Sequence, residues 1–554
     1  MRTPRRLPFS VLALAFPLTF AQACGDDDDG TPSNGGTGGR AGNAGTGGGI
    51  DGAAGSGGRN GSSGASGASG ASGASGASGA GGAGGAGGAG GAGGAGGAGG
   101  AGGGGSGGGG GSSGSGGGSG VACTSTTGPG LSALEAMIAT LPPLSNAERN
   151  ERVETFLRDV AYAGGWPICD AGRFVFALFD AANGPGVPSV AGDFNGWQPD
   201  AAPMTRAIEG YGLYYAVLPG ELPATDKRLY KFVRGGAYNA DPQARRFGFD
   251  ENGQHSLLAE NPARGRFERW PSFRAEGLPL APRPVYVYVP PGATPGAPLP
   301  VLYMHDGQNL FQGGGPFGSW DLLPVYDAEI TAGRVRPALV VGVANTDDRF
   351  LEYTHVPDNI GGSSSVGGGA DNYVTFVADR VKPFVDDHYA TLPDRAHTGV
   401  LGSSLGGLVS IYAALKRPEV FGFAGSMSGT FGWGSIAPNP QGGSSDGDDT
   451  LIDLFTSKLD VAMYLDSGGS DGNTDADNDD CLDADGDGVH DDTPGAGDNF
   501  CENVDLRNKL VSHGWQPGVD LTYVFVKGAV HNEAAWKARL PGALGGWFPG
   551  PPAP

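Results

Sequence analysis

The sequence predicts an α/β domain that follows a smaller all-β sandwich and a long Gly-rich linker. Between residues 285 and 547, apolar strands alternate with helical stretches, which is typical of βαβ units and a mostly parallel sheet. Between 173 and 258, shorter strands are separated by turn residues, as in a sandwich. Residues 34–120 are almost entirely glycine, alanine and serine. The ordered domains of this 554-residue chain are therefore expected after the linker.

Residues 1–23 have the pattern of a secretory signal peptide. Three arginines precede an apolar run from Leu7 to Phe20, and Ala21 and Ala23 supply small residues for cleavage. Cys24 then resembles the lipid acceptor of bacterial lipoproteins, whereas cleavage alone would leave a free N-terminal cysteine. We therefore expect an exported protein, either a cell-envelope lipoprotein held at the membrane through a lipid on Cys24 or a secreted protein.

Residues 24–122 form the linker. Their composition cannot bury enough apolar surface to offset the entropy lost on ordering, so we expect a disordered, flexible tether. The whole chain carries 35 lysines and arginines against 58 aspartates and glutamates, a net charge of −23. Because so acidic a chain offers no basic field for phosphates, we expect no nucleic-acid partner.

The five cysteines fit an oxidising compartment. Apart from Cys24, they form two pairs that are local in sequence, and we expect the disulfides Cys123–Cys169 and Cys481–Cys501. Four unpaired thiols, or other pairings, are the alternatives.

The ordered part divides into three segments. Residues 123–169 contain a short helical segment, in which Ser145 and Glu148 have the spacing of a capping box. Residues 170–260 form the sandwich, with predicted strands at Phe174–Leu178, Leu213–Val217 and Leu229–Val233.

Residues 270–549 form the α/β domain. Its predicted strands are Val285–Val289, Val301–His305, Ala338–Val343, Thr398–Leu401, Phe421–Ser426, Val461–Leu465 and Leu521–Val526.

Ser404 is the candidate nucleophile. It lies in Gly402-Ser403-Ser404-Leu405-Gly406, a G-x-S-x-G pattern that also occurs elsewhere in this Gly-rich chain. At Ser404 alone a predicted strand precedes the pattern and an apolar helix follows, which is the context of a nucleophile elbow in an α/β-hydrolase fold. A purely structural glycine turn is the alternative.

A serine nucleophile needs a base, and the base needs an acid that orients it. His531 follows the last predicted strand and is the candidate base, with an exposed loop histidine as the alternative. Asp471 is the preferred acid and Asp466 the second choice, because both follow strand Val461–Leu465. The backbone N–H groups of Leu405 and Gly307 are the candidate oxyanion hole.

Together these residues resemble the Putative esterase family, which includes enterochelin esterases, esterase D-type hydrolases and feruloyl or acetyl-xylan esterases. The resemblance is carried by residues 304–311, by 349–353, by the Ser404 elbow, and by His531 with Trp536. In that family a Gly-x-x-Asp turn carries the acid, which favours Asp471.

The resemblance also implies a substrate pocket. Its candidate residues are Asp306, Gln308, Arg349, Glu352 and Tyr353. For residues 349–353, a structural ion pair is the alternative.

The predicted sandwich resembles an immunoglobulin-like early-set module of the glycogen-binding type. The match lies in residues 190–197, 230–232 and 241–242. In sugar-binding members, aromatic side chains and a lysine hold the glycan, which implies Trp197, Lys231 and Tyr238 here. A sandwich that is only structural is the alternative.

An acidic insert at 472–503 departs from the family pattern. It contains D-x-D-x-D-G, the start of a calcium-binding loop, although Pro494 stands where an EF-hand has its glutamate. We expect structural Ca²⁺, as in thrombospondin type-3 repeats, with a solvated acidic loop as the alternative. The candidate ligands are Asp475, Asp477, Asp479, Asp483, Asp485, Asp487, Val489 and Asp491.

These features predict an exported serine esterase that cleaves carboxylic esters through an acyl-enzyme and needs no organic cofactor. Export and the sugar-module resemblance favour feruloyl or acetyl esters on a polysaccharide. The alternatives are an enterochelin-type siderophore esterase and a catalytically inert, glycan-binding surface lipoprotein.

Overall fold

The computed structural model describes residues 128–220, 228–258, 264–311, 318–358, 365–435, 450–469, 481 and 497–550. These residues all belong to one compact unit. The predicted signal peptide, the linker, Asp471 and the proposed calcium ligands lie outside the described residues.

Two helices, then a succession of short strands, make up the N-terminal part. The helices are α1 (Leu131–Ala139) and α2 (Asn146–Ala163). The strands are β1 (Ile168–Asp170), β2 (Arg173–Phe179), β3 (Ser189–Gly192), β4 (Thr205–Arg206), β5 (Leu213–Pro219), β6 (Leu229–Arg234), β7 (Ala237–Asn239), β8 (Arg246–Asp250), β9 (Gly253–Leu257) and β10 (Arg266–Phe273).

Strands alternate with helices in the C-terminal part. Its strands are β11 (Arg283–Val289), β12 (Val301–Met304), β13 (Leu339–Val343), β14 (Pro357–Asp358), β15 (Val366–Gly367), β16 (Thr398–Ser403), β17 (Phe423–Met427), β18 (Ala462–Ser467) and β19 (Leu521–Phe525). Its helices are α3 (Leu322–Thr331), α4 (Arg349–Tyr353), α5 (Ala370–Phe376), α6 (Lys382–His388), α7 (Leu405–Lys416), α8 (Phe500–Ser512) and α9 (Glu533–Trp547).

The predicted capping box at the start of α2 is present. The Ser145 hydroxyl accepts from the N–H of Glu148, and the N–H of Ser145 donates to the Glu148 carboxylate at 2.8 Å. The apolar face of the two helices packs on the four-stranded sheet β1-β2-β5-β4, burying Leu134, Val153 and Leu157 against it.

In the described part of the chain, the second sheet has 13 strands in the order β19-β18-β17-β16-β12-β13-β11-β10-β8-β9-β6-β3, with β7 paired to β6. In this order, the six strands from β19 to β13 pair in parallel. From β11 to the other end of the sheet, each strand pairs antiparallel to its neighbour. Because β10 pairs with both β8 and β11, one of the two sheets of the sandwich continues directly into the α/β sheet.

The parallel strands are buried on both faces, as βαβ crossovers require. Every residue of β13, β16 and β17 is buried, and two apolar clusters fill the space between the sheet and its helices. The predicted α/β-hydrolase-like fold is confirmed, with its strands within about two residues of the predicted positions. None of the described helices has the length and apolar character that crossing a bilayer demands.

Candidate active site

Ser404 occupies a strained turn between β16 and α7. Its backbone has φ 55° and ψ −129°, a conformation that L-residues rarely adopt and that here exposes the side chain at the end of a buried strand. Only glycine fits beside it. A Cβ on Gly402 would collide with the Gly406 carbonyl, and a Cβ on Gly407 would lie 3.0 Å from the Gly429 Cα.

The loop after β12 lies against the start of α7. A Cβ on Gly406 would be 3.3 Å from the Asp306 Oδ2 and 3.4 Å from the His305 Cβ. Among the backbone hydrogen bonds of the described residues, neither Leu405 N–H nor Gly307 N–H has an acceptor. Within the described part of the chain, the two predicted oxyanion donors therefore lie on neighbouring segments and lack a backbone acceptor.

His531 follows β19 and is 35% exposed at its side chain. Its Nδ1 lies 2.9 Å from Oδ1 of Asp498, whose own side chain is fully buried. The Trp536 ring packs against the imidazole in a T-shaped arrangement, with centroids 5.0 Å apart. A histidine held by a buried carboxylate at the edge of the sheet is the arrangement expected of a general base.

The carboxylate that contacts His531 belongs to Asp498, and not to either aspartate predicted from the sequence. Asp466, the second choice, is fully buried and accepts from the Tyr464 hydroxyl at 2.8 Å, with no bond to His531 among the described contacts. Asp471, the first choice, lies outside the described residues. Asp498 was missed because it lies near the end of the acidic insert, far in sequence from strand β18, and nothing local distinguishes it from the other aspartates.

Four donors from the described residues surround the Asp498 carboxylate. Beside His531 on Oδ1, Oδ2 accepts from the Ser428 hydroxyl at 2.8 Å, from Arg539 Nη1 at 3.0 Å, and from the N–H of Gly468. Burial alone would raise the pKa of this carboxyl, but the hydrogen bond from His531 and the charge of Arg539 outweigh burial and hold the pKa below its usual value. Asp498 is therefore ionised at neutral pH.

The Cys481–Cys501 disulfide is present, as predicted. It fastens the first turn of α8, just after Asp498 and Asn499, which both have left-handed backbones. Cys169 is also disulfide-bonded, and its predicted partner Cys123 lies outside the described residues.

The Ser404 hydroxyl contacts Thr430 Oγ1 at 3.4 Å. Thr430 in turn accepts from Asn499 Nδ2 at 3.1 Å, so one polar chain runs from the serine to the residue next to Asp498. The hydrogen bonds among described residues include none that joins Ser404 directly to His531.

Residues 349–353 have the structural role that was the alternative to a substrate pocket. Glu352 is 1% exposed and forms a buried ion pair with Arg283, and Tyr353 is 0% exposed and accepts from the N–H of Asp306. Both residues are therefore removed from the predicted pocket.

Three of the predicted pocket residues make contacts that shape the loop after β12. Arg349 binds Asp306 through two hydrogen bonds, of 2.8 and 2.9 Å, and Gln308 Oε1 accepts from the N–H of Asn345 at 3.1 Å. The guanidinium of Arg349 and neighbouring donors outweigh burial and lower the pKa of Asp306. These contacts hold the loop that presents Gly307.

Of the three predicted glycan-binding residues, two lie together at the surface and one has its polar group engaged inside the protein. Lys231 is buried, and its amine donates to the Asn252 carbonyl at 2.7 Å, so it cannot hold a sugar. Trp197 and Tyr238 do lie side by side, with ring centroids 6.4 Å apart and Tyr238 43% exposed.

The comparisons with known proteins concern mainly the α/β domain. Residues 280–547 match the family model described as Putative esterase. Uncharacterized protein YbbA of Bacillus subtilis (strain 168) is 27% identical over 157 residues, which are 27% of this chain and 58% of that protein. The endo-1,4-beta-xylanase/feruloyl esterase of Xylanibacter ruminicola is 29% identical over 134 residues, which are 24% of this chain and 16% of that protein. This chain therefore spans less than two thirds of the length of both relatives.

A solved structure of the enterobactin esterase FES from Shigella flexneri is also similar. It is 17% identical, covers 68% of this chain and 93% of its own, and has a TM-score of 0.34.

Proposed function

Since residues 280–547 belong to the Putative esterase family, we propose that this chain hydrolyses carboxylic esters through an acyl-enzyme on Ser404. The observation that carries the mechanism is the ionised, buried Asp498 on Nδ1 of His531, at the same edge of the parallel sheet as the strained Ser404. That bond fixes the proton on Nδ1 and leaves Nε2 free as a base.

In the first step, the Ser404 hydroxyl turns from Thr430 to Nε2 of His531, gives up its proton and attacks the ester carbonyl. Apo structures often show loose catalytic hydrogen bonds that tighten only when substrate is bound. The N–H groups of Leu405 and Gly307 donate hydrogen bonds to the oxyanion. Each of these bonds lowers the activation barrier by about 3–4 kcal/mol.

In the second step, the alcohol leaves with a proton from His531. Water then attacks the acyl-enzyme, with His531 again as base. Asp498 stabilises the imidazolium in both steps and stays ionised throughout.

For the substrate, we propose feruloyl or acetyl esters on an extracellular polysaccharide. The predicted signal peptide favours a substrate outside the cytoplasm, and the name of the Xylanibacter relative includes feruloyl esterase activity. Membrane attachment through Cys24 and structural calcium in the acidic insert remain part of this proposal.

The experiment compares wild type, Ser404→Ala and Ser403→Ala on methyl ferulate, p-nitrophenyl acetate, acetylated xylan and enterobactin. Ser403 is the matched control, because it is the neighbouring serine and ends β16. We expect turnover by wild type and Ser403→Ala, and a loss of about 10⁶-fold in Ser404→Ala.

Intact-mass measurement after mixing with a slow ester should show an acyl adduct that Ser404→Ala lacks. Equal rates in wild type and Ser404→Ala would refute the esterase and favour the inert binding protein. A strong preference for enterobactin would refute the polysaccharide substrate alone.

A further inference from the structure

Arg539 lies beneath the His531–Asp498 pair, near the middle of α9, with a side chain only 4% exposed. Its Nη1 donates to Asp498 at 3.0 Å and its Nη2 to the Ser428 hydroxyl at 2.7 Å. Its Nε lies 3.3 Å from Oδ1 of Asp466, but the two atoms are misaligned and neither has a hydrogen-bond partner among the described residues. One guanidinium thus faces two buried carboxylates from different elements.

Two like charges cannot share one buried cation equally, because each ionised carboxylate disfavours the other. Asp498 has more donors, since Ser428, His531 and the Gly468 N–H also bind it. Among the described residues, Asp466 has the Tyr464 hydroxyl as its one hydrogen-bonding side chain. Accordingly, burial raises the pKa of Asp466 to about 7, whereas that of Asp498 is lowered.

Ser428 strengthens the link between the guanidinium and the carboxylate. Its hydroxyl accepts from Arg539 Nη2 and from Trp536 Nε1, at 2.7 and 3.0 Å, and donates its own proton to Asp498. Arg539 therefore holds Asp498 Oδ2 both directly and through Ser428, and this leaves Oδ1 directed at His531.

We propose that Arg539 is a positioning residue for the esterase reaction, which keeps Asp498 ionised and oriented so that His531 can act as the base. This proposal rests on the proposed function. Arg539 acts only through Asp498.

The test uses Arg539→Met, which keeps an unbranched apolar stem but removes the charged guanidinium, and Arg539→Lys. We expect Arg539→Met to lower kcat by about 10²-fold, as a misplaced catalytic group does, with KM changed less than about twofold. The acidic limb of the kcat/KM profile should move to higher pH, because loss of a buried cation favours proton binding by the coupled Asp498–His531 pair. Relative to Arg539→Met, Arg539→Lys should recover part of the lost kcat and part of the shift in the acidic limb.

Arg283→Met is the matched control, because Arg283 is an equally buried arginine that pairs with Glu352 and does not contact Asp498. It should lower thermal stability without moving the acidic limb. Arg539→Met with the wild-type pH profile and kcat would overturn the proposal. If Arg539→Met does not fold, Arg539→Gln, which also lacks the charge, is measured in its place.

A second readout does not depend on turnover. Asp498, whose pKa is lowered by folding, contributes stability above its unfolded pKa of about 3.9 and loses it as pH falls. Arg539→Met weakens that contribution and raises the cost of ionising Asp466, so its Tm deficit should be larger at pH 7 than at pH 4. A deficit independent of pH would refute the role of Arg539, whereas absent turnover in wild type would refute only the proposed function.

Discussion

Asp498→Asn should abolish most of the activity without removing the fold. Three donors converge on Oδ2, so the asparagine carbonyl will take that position and the amide NH₂ will face His531. An NH₂ group can only donate to Nδ1, which forces the imidazole proton onto Nε2. A histidine protonated at Nε2 cannot accept the Ser404 proton, and this kind of tautomer error costs about 10⁴-fold in kcat.

The stability loss follows from the same contacts. Three hydrogen bonds to a charged oxygen, each worth about 1.5–3 kcal/mol, become bonds to a neutral one worth about half as much. Arg539 also loses its ionised partner in a buried site. We therefore expect the free energy of unfolding to fall by about 3 kcal/mol, which a domain of this size can tolerate.

The assay compares Asp498→Asn with Asp466→Asn and Asp471→Asn by initial rates on methyl ferulate, with Tm measured on the same samples. Asp466→Asn should stay within about threefold of the wild-type rate, because burial raises the pKa of the wild-type carboxyl to about 7, so that it is about half protonated at pH 7 and mostly protonated below it. Asp471→Asn should change the rate less than about twofold, because His531 Nδ1 is already hydrogen-bonded to the carboxylate of Asp498. A folded Asp498→Asn within tenfold of wild type, or a 10³-fold loss in Asp471→Asn, would refute this assignment.

Four further predictions follow from the structure and the sequence. Gly407→Ala should destabilise the domain by about 1–3 kcal/mol and slow turnover, because its methyl group meets Ser426 and the Gly429 backbone; unchanged Tm would contradict the tight helix–strand contact. Cys501→Ser, compared with wild type under dithiothreitol, should lose about 3 kcal/mol and much of the esterase rate, since the disulfide fastens the turn after Asp498; a variant as active as wild type would show that the turn holds itself. The raised pKa of Asp466, about 7, means that its contribution to stability is full below pH 4 and is lost as pH rises through 7, so Asp466→Asn should flatten the Tm profile between pH 4 and 8. Chelation with EDTA should lower Tm and rate if the acidic insert holds calcium, and no change in either would dismiss the ion.

Much of this site could be predicted locally. A strand, a glycine-rich turn and an apolar helix follow one another in the sequence around Ser404, and each signal is contained in a few neighbouring residues. His531 was predictable because it follows the last strand of the sheet, where a loop returns to its carboxyl edge.

The acid could not be predicted in this way. The insert separates β18 from α8, so sequence distance from the strand end no longer indicates which aspartate reaches His531. Asp498 is selected by a disulfide at Cys501, by two left-handed residues, and by donors from Ser428, Gly468 and Arg539. The prediction that Lys231 binds glycan was wrong for a related reason. Its position on a strand gave no sign that its amine would be buried against a backbone carbonyl.

By itself, the sequence determined the order of the segments, the α/β character of the C-terminal domain, the strained serine and the histidine, because periodicity and turn chemistry act between near neighbours. Tertiary structure alone decided which buried carboxylate is ionised beside that histidine and which of the predicted pocket residues are held in contacts with the loop after β12. It also joined the sandwich to the α/β sheet through β10. The physical reason is that charge stabilisation and strand pairing depend on groups brought together from distant parts of the chain, and on the desolvation they share once buried.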